Sequence, residues 1–265
     1  MLPRLNSLWV GSEIGWIEEL CLRSALAMGH AFTLYSYTPE ALGPLPSGVE
    51  LRDAREVMPE ALLLRYGDSG AVQLGSNLFR YHLLAQSLGY WVDMDFYFIR
   101  PIALTADYVF GYERDDSINS AILNVPAQSE MLRIIFRTMQ PNVRPPWYGP
   151  KRTIQYYWRR LTRGTIRVED LPWGTYGPQI VTYAVNAARV RHFAHPTSVF
   201  YPVNYDRVQL LVDPSTSRTE IEHDNTLAIH LYRSALLRIL KSGLPPPGSY
   251  LANARLAHGV TSIVL

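Results

Sequence analysis

Residues 90–101 read Tyr90-Trp91-Val92-Asp93-Met94-Asp95-Phe96-Tyr97-Phe98-Ile99-Arg100-Pro101, two acids inside a run that is otherwise almost wholly apolar and aromatic. A run of this kind has to be buried, and buried carboxylates need partners. Taken as one β-strand, its side chains alternate faces, so Asp93 and Asp95 aim at one place. Two like charges there repel unless something positive lies between them. No lysine is nearby, and Arg100 is the close cation in sequence. The simplest occupant is a hard divalent cation, Mn²⁺ or Mg²⁺, which takes its remaining ligands from substrate phosphates. A bare Asp-x-Asp triplet also occurs at solvated strand ends; the flanks Tyr-Trp-Val and Phe-Tyr-Phe-Ile argue for the buried alternative.

The elements around this stretch point to an α/β fold. Leu5 to Val10 reads as a strand ending at Gly11. Ile17, Leu20, Cys21, Ser24, Ala25 and Met28 then recur at helical steps, with Gly29 placed to end the helix. Phe32 to Tyr37 is a second strand. Strand, helix and strand make a βαβ unit and imply a parallel sheet with a right-handed crossover. Ligands in such sheets collect at the carboxyl ends of strands. The loop Gly11-Ser12-Glu13-Ile14-Gly15 lies at such an end but lacks the dinucleotide-binding glycine fingerprint. Further strands are expected at Val49–Leu51, Ala121–Val125, Phe200–Val203 and Leu227–Leu231. Helices are expected at Ser76–Leu88 with Ser76 as N-cap, at Ser129–Met139, at Thr153–Leu161, and at 178–188, which opens on Pro178. The proline-rich residues 141–150 read as a surface loop. Pro245-Pro246-Pro247-Gly248 sets off a short C-terminal tail, which leaves 1–244 as a single domain and 245–265 as the tail.

Composition narrows the function classes. The 265 residues are 48% hydrophobic and 18% charged, enough for a sizeable core. A net charge of +2 does not argue for nucleic acid. The basic residues are arginines apart from Lys151 and Lys241. The one cysteine, Cys21, allows no intrachain disulfide. No apolar run has the length of a membrane span, and the N-terminus lacks a signal-peptide pattern. A cytoplasmic protein is expected.

The run Ser76-Asn77-Leu78-Phe79-Arg80 followed by Gly89-Tyr90-Trp91-Val92-Asp93-Met94-Asp95 resembles the Ser-Asp-x-x-Arg … Gly-Gly-x-Tyr-x-Asp-x-Asp signature of glycosyltransferase family 32. That signature is shared more distantly with the large clostridial glucosylating toxins. Asn119-Ser120-Ala121-Ile122-Leu123, Gly174-Thr175-Tyr176-Gly177-Pro178, Phe200-Tyr201-Pro202-Val203 and Ala228-Ile229-His230-Leu231-Tyr232 resemble later elements of the family, in its order. Departures are Asn77 for the family Asp, Tyr90 for the second Gly, Trp91 for Tyr and Tyr232 for Trp.

The resemblance implies a GT-A glycosyltransferase fold, a Rossmann-like central mixed sheet flanked by helices. It implies a retaining, metal-dependent transfer of a hexose from a nucleotide-diphosphate sugar, of the UDP-sugar kind, to a hydroxyl of a saccharide or glycolipid, as in polysaccharide biosynthesis. Asp93, Asp95 and Arg80 would be catalytic; Asp95, Asp93 and His230 would hold Mn²⁺ or Mg²⁺. Trp9, Asn77, Arg80, Trp91, Asp93, Asn119, Gly177 and Pro178 would face the donor. Several have a plainer alternative. Trp9 either stacks on the base or packs in the core. Arg80 either meets phosphate or sugar, or pairs with a carboxylate. His230 is otherwise a core histidine, Asn119 a turn cap, and Gly177-Pro178 an ordinary helix start. Peripheral attachment to a membrane is among the family's expectations. The rival to an enzyme is a non-catalytic nucleotide-sugar or carbohydrate-binding protein on a decayed transferase scaffold, to which Asn77 lends weight. A haloacid-dehalogenase-type phosphatase fits badly, since Tyr97 follows the triplet and lysines are few.

Overall fold

The computed structural model describes residues 2–67, 70–241 and 243–264. The chain runs β1 (Leu5–Trp9), α1 (Trp16–Ala27), β2 (Phe32–Ser36), β3 (Val49–Asp53), α2 (Gln73–Ala85), β4 (Tyr90–Val92) and β5 (Phe96–Phe98). It continues through β6 (Tyr112–Arg114), β7 (Ser117–Ile118), β8 (Ile122–Leu123), α3 (Glu130–Thr138), α4 (Pro150–Arg163) and α5 (Pro178–Ala187). It ends with α6 (Thr197–Phe200), α7 (Arg218–Ile221), β9 (Ala228–His230), α8 (Arg233–Ile239) and α9 (Tyr250–Ala257).

The expected α/β architecture is present. The central sheet has the order β3-β2-β1-β4-β8, with β1 to β4 parallel and β8 antiparallel to β4. Side chains alternate across it as a pleated strand requires. Phe32, Leu34, Tyr90, Val92 and Ile122 pack toward α1, while Tyr35, Trp91 and Leu123 pack toward α2, α3 and α5. Phe79 of α2 is fully buried there, with ring centroids 5.5 Å from Tyr35 and 6.2 Å from Trp91. β5 and β9 form a separate antiparallel pair, with Phe96 opposite His230.

Gly89 governs the entry to β4. Its φ is +117°, and a Cβ there would lie 2.6 Å from the Arg4 carbonyl. From the neighbouring strand, the fully buried Asn6 donates its amide to the carbonyls of Leu88 and Tyr90. Glycine is the residue that allows both the backbone conformation and this close approach.

Three expectations are corrected. First, Asp93 and Asp95 do not share one continuous strand. β4 ends at Val92, residues 93–95 turn, and β5 leaves to pair with β9. An apolar run shows burial but not where its hydrogen-bond partner changes. Second, Ser76 does not cap α2. The helix begins at Gln73, because Leu74 is buried and Gly75 packs against Leu63 and Leu64 so closely that a Cβ would overlap them. Third, Phe200–Val203 is not a strand. Phe200 ends α6, and the amide of Tyr201 closes a turn on the Thr197 carbonyl. Phe200, Tyr201 and Val203 are buried all the same, which is why the short run looked like a strand.

Residues after the triple proline pack on the body of the molecule. Leu251, Ala254 and Val260 join a cluster with Trp16, Ile17 and Leu20, and the Trp16 amide donates to the Val264 carbonyl.

Candidate metal centre

The strand order reverses between β1 and β4: the chain adds β2 and β3 on one side of β1 and β4 on the other. In open parallel sheets this switch point leaves a crevice at the carboxyl ends of the strands. Trp9 stands at the end of β1, and Asp93 directly follows β4.

Two separate sets of bonds hold the two aspartates. Asp93 Oδ1 accepts from Arg80 Nη2 at 2.6 Å and from the Trp91 indole N–H at 2.6 Å. Arg80 also donates to Asn77 Oδ1 at 3.0 Å, and its guanidinium lies 4.9 Å from the Trp91 ring centre. The asparagine keeps this geometry without a second negative charge competing for the arginine. The Asp93 amide donates to the Ala121 carbonyl at 2.7 Å, and Ala121 is set by its own amide bonding to Asn119 Oδ1.

Asp95 is fixed from the opposite side. Its Oδ2 accepts from the Arg233 amide at 2.8 Å, its Oδ1 is 3.2 Å from His230 Nε2, and its carbonyl accepts from the Leu231 amide. The Arg233 side chain reaches back to Glu18 of α1 at 2.5 Å, and Glu18 also accepts from the Gly15 amide. Glu18 is fully buried, and burial, the largest influence, raises its pKa despite the arginine beside it. The turn at 93–95 thus joins a group carried by α2 to a group carried by β9, α8 and α1.

Asp93, Asp95 and His230 each place a ligand atom so that all three lie within 4.8 Å of one another. Two carboxylates and an imidazole are a donor set for Mn²⁺ or Mg²⁺, the imidazole favouring the former. One free valence supports the fit: among the described residues no hydrogen bond reaches Asp93 Oδ2. The side chains are 28%, 17% and 10% exposed for Asp93, Asp95 and His230, so the cluster opens to solvent on the Asp93 side.

The electrostatics of the free cluster are those of an ion pair. Burial by itself lowers the basicity of His230, but Asp95, with Asp93 and Glu113 further off, outweighs it and raises the pKa. Burial likewise disfavours the Asp95 carboxylate, yet His230 and the Arg233 amide hold its pKa below the usual value. A cation would displace the proton that this pair shares.

Beyond the three residues that converge in the cluster, the residues read from the sequence as site residues take the following places. Trp9 is half-buried, donates its indole N–H to the Glu13 carbonyl, and lies 6.0 Å below the Arg233 guanidinium. Arg80 pairs with a carboxylate, Asp93. Trp91 is 1% exposed and lies beneath the crevice, steadying Asp93. Asn119 is buried and shapes the turn before β8. A Cβ on Gly177 would sit 3.7 Å from Asn77 Nδ2, and Pro178 takes the first turn of α5 as expected.

Five residues near the cluster were not singled out as site residues. Glu113 on β6 acts electrostatically on His230, Tyr201 and Tyr232. Burial foremost, and then the nearby carboxylates, push both tyrosines well above the ordinary phenol pKa. Tyr232 has φ +50°, a left-handed conformation rare for a bulky side chain, and its ring centre is 4.1 Å from that of His230. Arg233 and Glu18 complete the support of Asp95. In the sequence, Tyr201 and Tyr232 stood inside recognised motifs. Glu113, Arg233 and Glu18 carried no signal there.

No protein-family model matches this chain, and no curated protein matches it. Among solved structures it is similar to "PaToxG Glycosyltransferase", with 15% sequence identity and a TM-score of 0.45 over 71% of this chain and 72% of that one.

Proposed function

We propose that the chain is a metal-dependent glycosyltransferase that moves a hexose from a nucleotide-diphosphate sugar, of the UDP-sugar kind, to a hydroxyl of a saccharide or glycolipid, with retention. The observation that carries this reading is the convergence of Asp93, Asp95 and His230 within 4.8 Å at the switch point of the sheet. Asp93, Asp95 and His230 would hold the ion. When bound, a divalent cation neutralises charge on the diphosphate leaving group.

The rest of the crevice serves positioning. Arg80 and Trp91 fix Asp93 through one oxygen, which leaves the other for ligand. The Arg233 amide and Glu18 fix Asp95 against β9. Ligands held this rigidly need no reorganisation when charge develops. Trp9 offers a half-buried aromatic face at the end of β1 for a base. In the reaction, the bond from the anomeric carbon to the diphosphate oxygen breaks, and the acceptor oxygen bonds to that carbon on the same face. The acceptor proton passes to the departing phosphate oxygen.

The test is release of nucleoside diphosphate from a panel of nucleotide sugars, with and without chelator. Hydrolysis or transfer that stops in chelator and returns with Mn²⁺ or Mg²⁺ supports the proposal. Turnover at full rate in chelator overturns it. Metal-dependent binding without any turnover selects the non-catalytic binding protein instead.

A further inference from the structure

α4 lies outside the crevice and has the make-up of a surface-docking helix. It carries Lys151, Arg152, Arg159, Arg160 and Arg163 and no acidic residue. Ile154, Tyr157, Trp158 and Leu161 follow one another at the three- and four-residue steps of a single helix face. They are 70%, 56%, 67% and 80% exposed. Tyr156, on the opposite side, is the residue of this helix that is buried, beside Tyr148, Ile166 and Leu171. A helix that turns its aromatic and aliphatic stripe outward and stands on its basic side inverts the usual arrangement of a globular protein.

We propose that α4 docks the protein on an anionic membrane surface. A helix with an apolar stripe of Trp, Leu and Ile and a polar face rich in Arg and Lys lies in the plane of the lipid headgroups. Trp158 and Tyr157 suit the headgroup level, where one end of the ring is apolar and the other wet. Ile154 and Leu161 reach the acyl boundary. Arg159 and Arg160 flank Tyr156 and bond to the carbonyls of Asp170 and Asn142. They lie along the rim, where long side chains extend toward lipid phosphates while their stems cover apolar surface.

Charge selects this occupant over others. A second copy meeting α4 across a two-fold axis would set the five cations against their like. Single-stranded nucleic acid stacks on aromatic faces, and Ile154 and Leu161 give it none.

The docking surface and the crevice share a loop. Thr175, after α4, approaches the Tyr148 hydroxyl at 3.3 Å, and Gly177 adjoins Asn77. Docking through α4 sets this loop, which leads through Gly177 into α5 beside Asn77, close to the bilayer. The inference itself rests on α4 and not on the reading of the crevice.

The test is co-sedimentation of the full chain with vesicles of phosphatidylcholine alone and of equimolar phosphatidylcholine and phosphatidylserine. Binding roughly ten-fold or more stronger to the anionic vesicles, weakened by salt, is expected. The double variant Trp158→Gln/Leu161→Gln should keep the thermal midpoint and lose most of that binding, since both side chains are exposed. Asp95→Asn should bind vesicles as the parent does, which separates this inference from the proposed activity. Equal binding to both vesicles, binding to neither, or undiminished binding by the double variant overturns it. So does a dimer in solution that the double variant converts to monomer.

Discussion

Arg80 and Asp93 form an ion pair of 2.6 Å in which the arginine is almost wholly buried, at 4% exposure, and the aspartate is 28% exposed. The guanidinium forks between Asp93 and Asn77 and lies over Trp91, so one side chain sets the position of the first acid of the cluster.

Arg80→Met should therefore lower stability by about 3 kcal/mol, the low end for a broken buried pair, because Asp93 regains some water. Arg80→Lys should recover part of the stability and little of the donor affinity, since an ammonium cannot reproduce the planar fork. Urea unfolding of both variants checks this. A loss below about 1 kcal/mol for Arg80→Met would show that the pair does not hold Asp93 in place.

Gly89→Ala is expected to be severe for a different reason. The new Cβ would meet the Arg4 carbonyl at 2.6 Å in a backbone conformation that alanine avoids. Loss of about 2–4 kcal/mol follows from combined strain and overlap. Since Gly89 leads into β4, donor binding should fall along with the unfolding midpoint. A variant as stable as the parent would contradict the close approach of β1 and β4.

His30 supplies a pH dependence. Its Nδ1–H donates to the Pro3 carbonyl at 3.0 Å, and its Nε2 accepts from the Ile102 amide at 3.0 Å, so both ring nitrogens are committed in the neutral form. Burial holds its pKa below the ordinary 6.5. The unfolded chain then binds the proton more readily than the folded one. Stability is unaffected above about pH 6.5 and falls as pH drops below it, by at most about 1.4 kcal/mol per unit while the two pKa values bracket the pH. His82, His195 and His258 are shifted the same way by burial. The measurement is therefore the difference in slope between the parent and His30→Gln, followed by thermal unfolding from pH 8 to pH 5. Identical slopes would contradict the bonding assigned to His30.

The first βαβ unit was legible because its signals are local: Leu5 to Trp9, the stripe Ile17, Leu20, Cys21, Ser24, and a glycine at φ +83° after the helix. Asp93 and Asp95 were legible as a pair, but the cause of their convergence was not. Strand alternation would have brought them together, whereas a turn does so here, and that turn depends on β9 far along the chain. His230 required the resemblance, since one histidine in an apolar strand carries no signal of its own. Glu18 and Arg233 were illegible because each explains the other: a buried acid on α1 is tolerable only with a distant arginine folded onto it. α4 was legible as a helix over Thr153–Leu161, but which way its face turned depended on Tyr156 finding a seat beside Leu171.

The central claim is that Asp93, Asp95 and His230 bind one divalent cation. Titrating the protein with Mn²⁺ while following the paramagnetic resonance signal of the free ion measures this without requiring activity. The parent should take up one ion per chain, more tightly in the presence of a nucleoside diphosphate, and Asp95→Asn, folded as the parent is, should bind at least roughly ten-fold more weakly. No uptake by the parent, or equal uptake by the variant, would contradict the account.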